Sequence, residues 1–346
     1  MEKLTYKKVH NRFKLNGTHF NGKELYQRAF VFIKEGEEHE KALGNFILEW
    51  FDEKDFIEIT TSGTTGTPKV IRLQKDAMVN SALATGDFFK LEPGNKALHC
   101  LPIQYIAGKM MLVRAFILGL ELDYVAPSSN PLAGNETVYQ FGAMVPLQVQ
   151  HALGQLQQIK TIIIGGAKIN TVLAAALKEI PVAVYETYGM TETITHIAAK
   201  LVQETAFTVL PGITISTDNR GCLLIDAPRV CGEQLVTNDM VELVNEKQFI
   251  WLGRFDNVIN SGGVKLFPEQ LEEKLAAVVP HRFYVIGKED ETLGEKLVLV
   301  IESEPYPIDN TIFDFLGKFE KPKEIIFVPA FKVTDTGKVK RRDTIQ

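Results

Sequence analysis

Between Thr60 and Lys69 the chain reads Thr60-Thr61-Ser62-Gly63-Thr64-Thr65-Gly66-Thr67-Pro68-Lys69, a stretch dense in hydroxyls, with two glycines and a closing lysine. Glycines let a backbone turn inward so that successive N–H groups converge on one anion, and the hydroxyls add further donors. Lys69 supplies a compact charge suited to a phosphate oxygen. This is the chemistry of a polyphosphate cradle, in which Thr61, Ser62, Gly63, Thr64, Thr65, Gly66, Thr67 and Lys69 are the contacts. It is not a Walker loop: Pro68 stands where that pattern needs its second glycine, and Val70 follows the lysine. The plainer alternative is a polar surface loop.

Four further groupings carry chemistry. Gly165, Gly166 and Ala167 follow an apolar run, Ile162-Ile163-Ile164; bare backbone at a strand end can lie against a flat ring or a sugar, or can simply make a packing turn. Tyr188-Gly189-Met190-Thr191-Glu192-Thr193 offers an aromatic stacking face, a glycine for a sharp turn and, in Glu192, a hard oxygen ligand for Mg²⁺ beside phosphates. Asn260-Ser261-Gly262-Gly263-Val264-Lys265 reads by itself as a hairpin turn. Close to the C-terminus, Thr334-Asp335-Thr336-Gly337-Lys338 precedes a basic run.

In this order the motifs resemble the adenylate-forming superfamily, which includes acyl- and aryl-CoA ligases, luciferases and the adenylation domains of peptide synthetases. The resemblance runs from the cradle to the last residues. It implies that Tyr188, with Gly189 and Met190, borders adenine, that Thr191 reaches the α-phosphate, and that Glu192 holds Mg²⁺. It implies a ribose clamp at Asp239, in Thr237-Asn238-Asp239 where the family has Thr-Gly-Asp, with Arg254 near the same sugar. Asp256 would be the pivot of a mobile C-terminal domain, and Gly262, Gly263 and Lys265 part of a loop serving the thioester step. Lys338 would bridge the attacking carboxylate and the α-phosphate, with Thr191 and Glu192 completing the catalytic set. The expected reaction is acyl-AMP formation from ATP followed by transfer to CoA. An acyl-AMP ligase serving a carrier protein is the enzymatic alternative, and a non-catalytic nucleotide-binding regulator is the alternative outside catalysis.

For the acyl group, Leu101-Pro102-Ile103-Gln104-Tyr105-Ile106-Ala107-Gly108 resembles a Leu-Pro-x-x-His-Ile-x-Gly segment of short family members, with Tyr105 in place of histidine. In a helix starting at Ile106, Lys109 and Arg114 fall on adjoining faces, and either could meet a dicarboxylate. Ordinary helix surface is the alternative for Lys109.

The elements that must position these residues follow from periodicity. Helices are expected over residues 22–33, 38–51, 76–89, 106–118, 146–156, 170–179, 268–278 and 308–319, and strands over 56–59, 97–101, 122–125, 141–145, 161–164, 182–185, 283–287, 297–301 and 324–328. Interleaved strands and helices up to about residue 190 predict a layered α/β domain with parallel strands, closed by a small β-subdomain over 195–252. An α+β module follows. The expected domains are 1–255, shortened at its start relative to the family, and 256–346.

A length of 346 residues, 45% of them hydrophobic, suits two globular domains. A net charge of −5 argues against a broad nucleic-acid footprint. The start lacks a signal-peptide run, and no stretch approaches the ~18 apolar residues of a spanning helix; a cytoplasmic protein without a membrane partner is expected. Cys100, Cys222 and Cys231 are too scattered for a disulfide framework or a zinc site and read as buried thiols. The expected partners are therefore small molecules, a carboxylic acid with ATP and CoA, and the oligomeric state is left open, a homo-oligomer included.

Overall fold

The structure is a computed structural model that describes residues 5–61, 69–333 and 339–344. A short ribbon, β1 (Lys14–Leu15) and β2 (Thr18–His19), opens the chain. Helix α1 (Gly22–Glu35) starts at Asn21, whose side chain accepts from the Glu24 N–H while the Glu24 carboxylate accepts from the Asn21 N–H, a reciprocal cap. Helix α2 (Glu38–Phe51) buries Leu43, Phe46, Ile47 and Trp50, the face its spacing predicts. There follow β3 (Phe56–Thr61), β4 (Lys69–Gln74), α3 (Lys75–Phe89), β5 (Lys96–His99), α4 (Ile106–Leu118), β6 (Glu121–Tyr124), β7 (Tyr139–Met144), α5 (Pro146–His151), β8 (Ile159–Ile164), α6 (Thr171–Lys178), β9 (Ala183–Gly189), β10 (His196–Leu201) and β11 (Phe207–Val209). The rest comprises β12 (Thr214–Thr217), β13 (Cys222–Asp226), β14 (Leu235–Asn245), β15 (Gln248–Arg254), β16 (Ile259–Ser261), β17 (Val264–Leu266), α7 (Pro268–Leu275), β18 (Phe283–Asp290), β19 (Gly294–Glu302), β20 (Glu324–Val328) and α8 (Arg341–Thr344).

The described chain divides into two compact units. One contains residues 5–61, 69–214 and 225–235; the other contains 215–224, 236–333 and 339–344. The joint expected at Arg254 to Asp256 lies inside the second.

In the first unit the sheet runs in the order β11, β10, β9, β8, β7, β5, β6, β1, β2. The pairs β9–β8, β8–β7, β7–β5 and β5–β6 are parallel, as the alternation of strands and helices requires. All five therefore end on one edge, the edge where open α/β sheets bind ligands. Helix α4 is buried along nearly its whole length, from Gly108 to Ile117, which is why its sequence is apolar all round apart from Lys109 and Arg114. Around it pack Phe13, Phe46, Trp50, Leu122 and Phe141. Strands β3 and β4 form a separate antiparallel hairpin with Thr61 opposite Lys69.

The second unit contributes β12, β13, β14 and β15 in that order, and a sheet ordered β17, β16, β19, β18 with β20 parallel on β19. Leu271 and Leu275 of α7 pack with Val285, Leu297, Leu299 and Ile301 as its core.

Several expectations are corrected. The helix expected over 308–319 is a single turn, Asn310–Phe313: Asp309 caps its start by accepting from the Thr311 N–H, and a second turn at Gly317, whose N–H donates to the Glu320 carboxylate, takes up the rest of the segment. The helix over 146–156 ends as α5 at His151 and continues as a tighter turn, Leu153–Gln158. The strand expected to stop at Tyr185 runs on through Gly189, paired with β10. Cys100 and Cys222 are buried, but Cys231 is half-exposed.

Candidate active site

The cradle residues Ser62, Gly63, Thr64, Thr65, Gly66 and Thr67, and likewise Lys338, lie outside the described residues. The backbones of Thr61 and Lys69 stand opposite each other at the end of the β3–β4 hairpin, so the two ends of the cradle motif are adjacent. Strand β4 also contacts the turn Thr191–Thr193. The hairpin strand that follows the cradle segment and the turn that carries Glu192 are thus neighbours in the first unit.

Gly165, Gly166 and Ala167 leave the C-terminal end of β8. The Gly165 N–H donates to the Met144 carbonyl of β7 at 3.3 Å, and the Thr187 hydroxyl of β9 donates to the Ile164 carbonyl at 2.9 Å. The ends of β7, β8 and β9 are stitched into one rim. Tyr188, the penultimate residue of β9, lies across from Ala198 and packs its ring against Phe207, with centroids 6.0 Å apart. Gly189 does not make the expected sharp turn. Its strand is extended, and a Cβ there would collide with the Thr195 carbonyl, so close approach is what demands glycine.

The Thr191–Thr193 turn is tightly specified. The Thr193 hydroxyl oxygen lies 2.7 Å from the Thr195 carbonyl and 2.9 Å from the Met190 carbonyl, which share its one proton, and it accepts from the Met190 N–H at 2.9 Å. Ile194 then takes φ 66° and ψ −59°, and the Thr195 N–H donates to the Thr193 carbonyl at 2.7 Å. This is a γ-turn of the positive-φ kind, strained for any residue and more so for a β-branched one. It holds Glu192 exposed on the outside of the turn. Cys231 faces that carboxylate: burial first, and the charge of Glu192 second, push its thiol up to about 11. Among the described residues no cluster of three His, Cys, Asp or Glu could hold a metal. A single exposed carboxylate is nevertheless a donor set that fits Mg²⁺, which keeps several waters and takes most remaining ligands from phosphates.

Beneath this rim lies a group of buried polar side chains. Arg114 of α4 is 1% exposed. Its Nε reaches Thr85 Oγ1 at 3.4 Å, its Nη2 reaches Thr195 Oγ1 at 3.5 Å and its Nη1 reaches Met111 Sδ at 3.6 Å. Among the described residues no carboxylate pairs with it, and burial pushes the guanidinium down to about 9, so it stays charged at neutral pH. His196 closes the ring, with Nε2 3.4 Å from Thr85 Oγ1 and Nδ1 3.4 Å from Thr195 Oγ1. Burial first, and Arg114 second, hold His196 well below its ordinary range. The group therefore carries one positive charge on long, weak hydrogen bonds. Lys109 is different: its Nζ pairs with Glu49 of α2 at 2.9 Å and sits 4.3 Å from the Phe46 ring centroid, and its side chain is buried rather than on a helix surface. Tyr105, at the N-cap of α4, is 67% exposed.

In the second unit, Asp239 and Arg254 are direct cross-strand partners on β14 and β15. Asp239 is buried, accepts from Trp251 Nε1 at 3.1 Å and has Arg254 Nη1 at 3.7 Å from the same oxygen. Asp256 is exposed, 3.9 Å from Arg254 Nη2. Gly262 and Gly263 take φ 58° and 82° at the tip of the β16–β17 hairpin, in which Lys265 faces Asn260. Two positive φ values in succession define the tight turn that glycine favours.

Sequence reasoning missed Thr85, Thr195 and His196 as companions of Arg114. Only Thr195 and His196 carried a signal, since they follow directly on the Thr191–Thr193 turn; Thr85 arrives through the packing of α3 on α4.

A parallel sheet with glycines and hydroxyls gathered at its C-terminal rim marks a nucleotide-binding α/β protein. The AMP-binding enzyme family matches residues 33–231, more than half of the chain, and the chain belongs to that family. An acyl-CoA synthetase (AMP-forming)/AMP-acid ligase II-like protein from Dyadobacter fermentans is 36% identical, with a TM-score of 0.64 over 93% of this chain and 97% of that one. The 2-succinylbenzoate–CoA ligase of Haemophilus influenzae is 25% identical over 86% of this chain and 72% of its own length. An o-succinylbenzoate CoA synthetase from Bacillus subtilis, solved with an acyl-adenylate intermediate, has the same fold, with a TM-score of 0.72 at 20% identity over 82% of this chain and 68% of that one. No described helix is long and apolar enough to cross a membrane.

Proposed function

We propose that this enzyme is a Mg²⁺- and ATP-dependent carboxylate–CoA ligase that acts on 2-succinylbenzoate in the cytoplasm, in menaquinone biosynthesis. The observation that carries the substrate is Arg114. A dicarboxylic substrate has one carboxylate to activate and another to be recognised, and recognition of the second calls for a desolvated cation held ready. Arg114, ringed by Thr85, Thr195 and His196 and without a carboxylate among the described residues, is such a cation. Lys109 is already neutralised by Glu49 and leaves the role to Arg114. The relatives named as 2-succinylbenzoate–CoA ligases support the same substrate.

The reaction has two half-reactions. In the first, the free carboxylate attacks the α-phosphorus of ATP, an acyl–phosphate bond forms and pyrophosphate leaves. The cradle and Thr191 hold the phosphates, and Glu192 would hold Mg²⁺, which would supply positive charge against them. Tyr188 with Gly165, Gly166 and Ala167 borders the base, Asp239 with Arg254 holds the ribose, and Lys338 places positive charge where it develops at phosphorus. In the second, the CoA thiol loses its proton, its sulfur attacks the acyl carbonyl and AMP leaves. Residues 256–346 then act as the mobile domain that pivots at Asp256 and brings Gly262, Gly263 and Lys265 to the thiol.

Incubation with ATP, Mg²⁺ and 2-succinylbenzoate, with and without CoA, followed by mass spectrometry, tests the proposal. Acyl-AMP without CoA, and thioester plus AMP with it, are expected. Acyl-AMP that CoA does not consume would move the enzyme to the carrier-protein class. Turnover of monocarboxylic acids but not of this diacid would discard the substrate.

A further inference from the structure

The strand that carries Asp239 alternates its side chains, so Thr237 and Asp239 are buried on one face while Asn238 points to the other. On that other face the Asn238 amide is held from both sides. Its Oδ1 accepts from Arg220 Nη1 at 3.0 Å, and its Nδ2 donates to Asp256 Oδ2 at 3.3 Å. Arg220 is itself anchored. Its Nε donates to Asp218 Oδ2 at 2.7 Å, its Nη2 donates to the Thr237 carbonyl at 3.1 Å, and its guanidinium lies 5.1 Å from the centroid of the Phe255 ring. Asp218 is fixed in turn by the backbone N–H groups of Arg220 and Cys222 at 2.8 and 2.9 Å. One continuous chain of contacts thus leads from the turn before β13, through Arg220 and Asn238, to Asp256 and the aromatic residue beside it.

We infer that Arg220 and Asn238 are positioning residues that latch the Phe255–Asn257 turn to the strand holding Asp239, so that the setting of Asp256 depends on a side chain at position 238. A glycine there, as in the family's Thr-Gly-Asp, makes no such link. The inference rests on the ligase reading for its kinetic consequence: with Asp256 as the pivot, a latch on its carboxylate weights one setting of residues 256–346 over the other and sets the balance between the two half-reactions. It does not touch the nucleotide. Asp239 keeps its own bond to Trp251 on the opposite face.

The test is Asn238→Gly, with Arg220→Met as a second variant that leaves Asn238 in place but removes its anchor. Adenylation is followed by pyrophosphate release, and the thioester step by consumption of preformed acyl-AMP with CoA. In both variants the ratio of the two rates is expected to shift about two- to tenfold, the range open to one net hydrogen bond, with the KM for ATP unchanged. Backbone amides of residues 255–258 are expected to exchange faster with deuterium. An unchanged ratio overturns the inference, as does a fall of both rates together with a lower melting temperature. If the wild-type protein makes neither acyl-AMP nor thioester from any acid offered, the ligase reading fails by itself; the exchange comparison still decides the latch, and equal exchange at 255–258 in wild type and Asn238→Gly overturns it.

Discussion

The Arg114 group and the Asp239 group both join arginine to neighbouring polar side chains, but with opposite balances. Arg114 is buried and has two threonine hydroxyls, a thioether and a neutral imidazole for company. Arg220, Arg254, Asp218, Asp239 and Asp256 are cross-linked by opposite charges, and Asp256 is 63% exposed in its side chain. In the first case desolvation has been incurred without a counter-charge; in the second every arginine has one, tight at Arg220–Asp218 and long and partly solvated at Arg254 and Asp256. The first arrangement suits affinity for an anion that has yet to arrive. The second suits an element that must let go.

The largest effect expected from this contrast is in Arg114→Met. Removing a buried cation whose partner is the substrate should raise the KM for 2-succinylbenzoate by about 100-fold or more. The same change removes an unpaired buried charge, so the melting temperature should hold or rise, because apolar replacement of buried charge is often neutral or stabilising. A large loss of stability with little change in KM would show that Arg114 is structural and would sink the comparison. Lys109→Met makes the opposite control: it strands the part-buried Glu49 and should cost stability while leaving the KM closer to wild type.

A second effect comes from histidines in the first unit. His99 is fully buried, with neither ring nitrogen hydrogen-bonded among the described residues, and burial lowers it to about 3. His196 is lowered in the same direction by burial and by Arg114. Below about pH 6.5 the unfolded chain binds protons at both positions that the folded protein refuses, so stability falls as the solution is acidified. Each histidine contributes a slope of up to about 1.4 kcal/mol per pH unit. For His99 the loss continues down to about pH 3. Denaturant unfolding at pH 8, 6 and 5 should show this slope, and His99→Phe should remove the His99 share of it while leaving pH 8 stability equal or higher. A flat profile from pH 8 to 5 would mean that water reaches both rings. With the acid bound, its carboxylate beside His196 should lessen that histidine's share, which ties the pH profile back to the Arg114 group.

What could be read from the sequence divides along similar lines. The rim residues announced themselves because their chemistry is local: glycines after an apolar run at Gly165, and an aromatic, a glycine and a carboxylate within Tyr188 to Glu192. Arg114 was legible as a residue but not as a buried one, since the apolar surroundings of α4 look the same in sequence as those of a surface-seeking stripe. The pairing of Lys109 with Glu49 was not legible at all, because it depends on α2 and α4 meeting across 60 positions of chain. The helix expected over 308–319 is cut short for a local reason: after the turn capped by Asp309 the backbone turns again at Gly317, whose N–H goes to the Glu320 side chain, a break that hydrophobic spacing does not register. Strand β4 was not among the expected strands, although Val70-Ile71-Arg72-Leu73 carries a partial alternation, because that short run makes a strand only by pairing with β3.

The smallest effect expected is at Arg254, and it separates the two regions most finely. Arg254 reaches Asp239 at 3.7 Å and Asp256 at 3.9 Å with 48% of its side chain exposed. Ion pairs of that exposure and length contribute little, typically about 0.2–1 kcal/mol, and salt screens them. Arg254→Gln should therefore leave the melting temperature within error and raise the KM for ATP by no more than about fivefold at low salt, a difference that should shrink as ionic strength rises. A much larger and salt-insensitive rise would mean that Arg254 is desolvated when nucleotide binds and works like Arg114, as a cation prepared for an absent anion. The contrast between a buried receptor and a solvated joint would then hold for Arg220 and Asp256 but not for the ribose clamp.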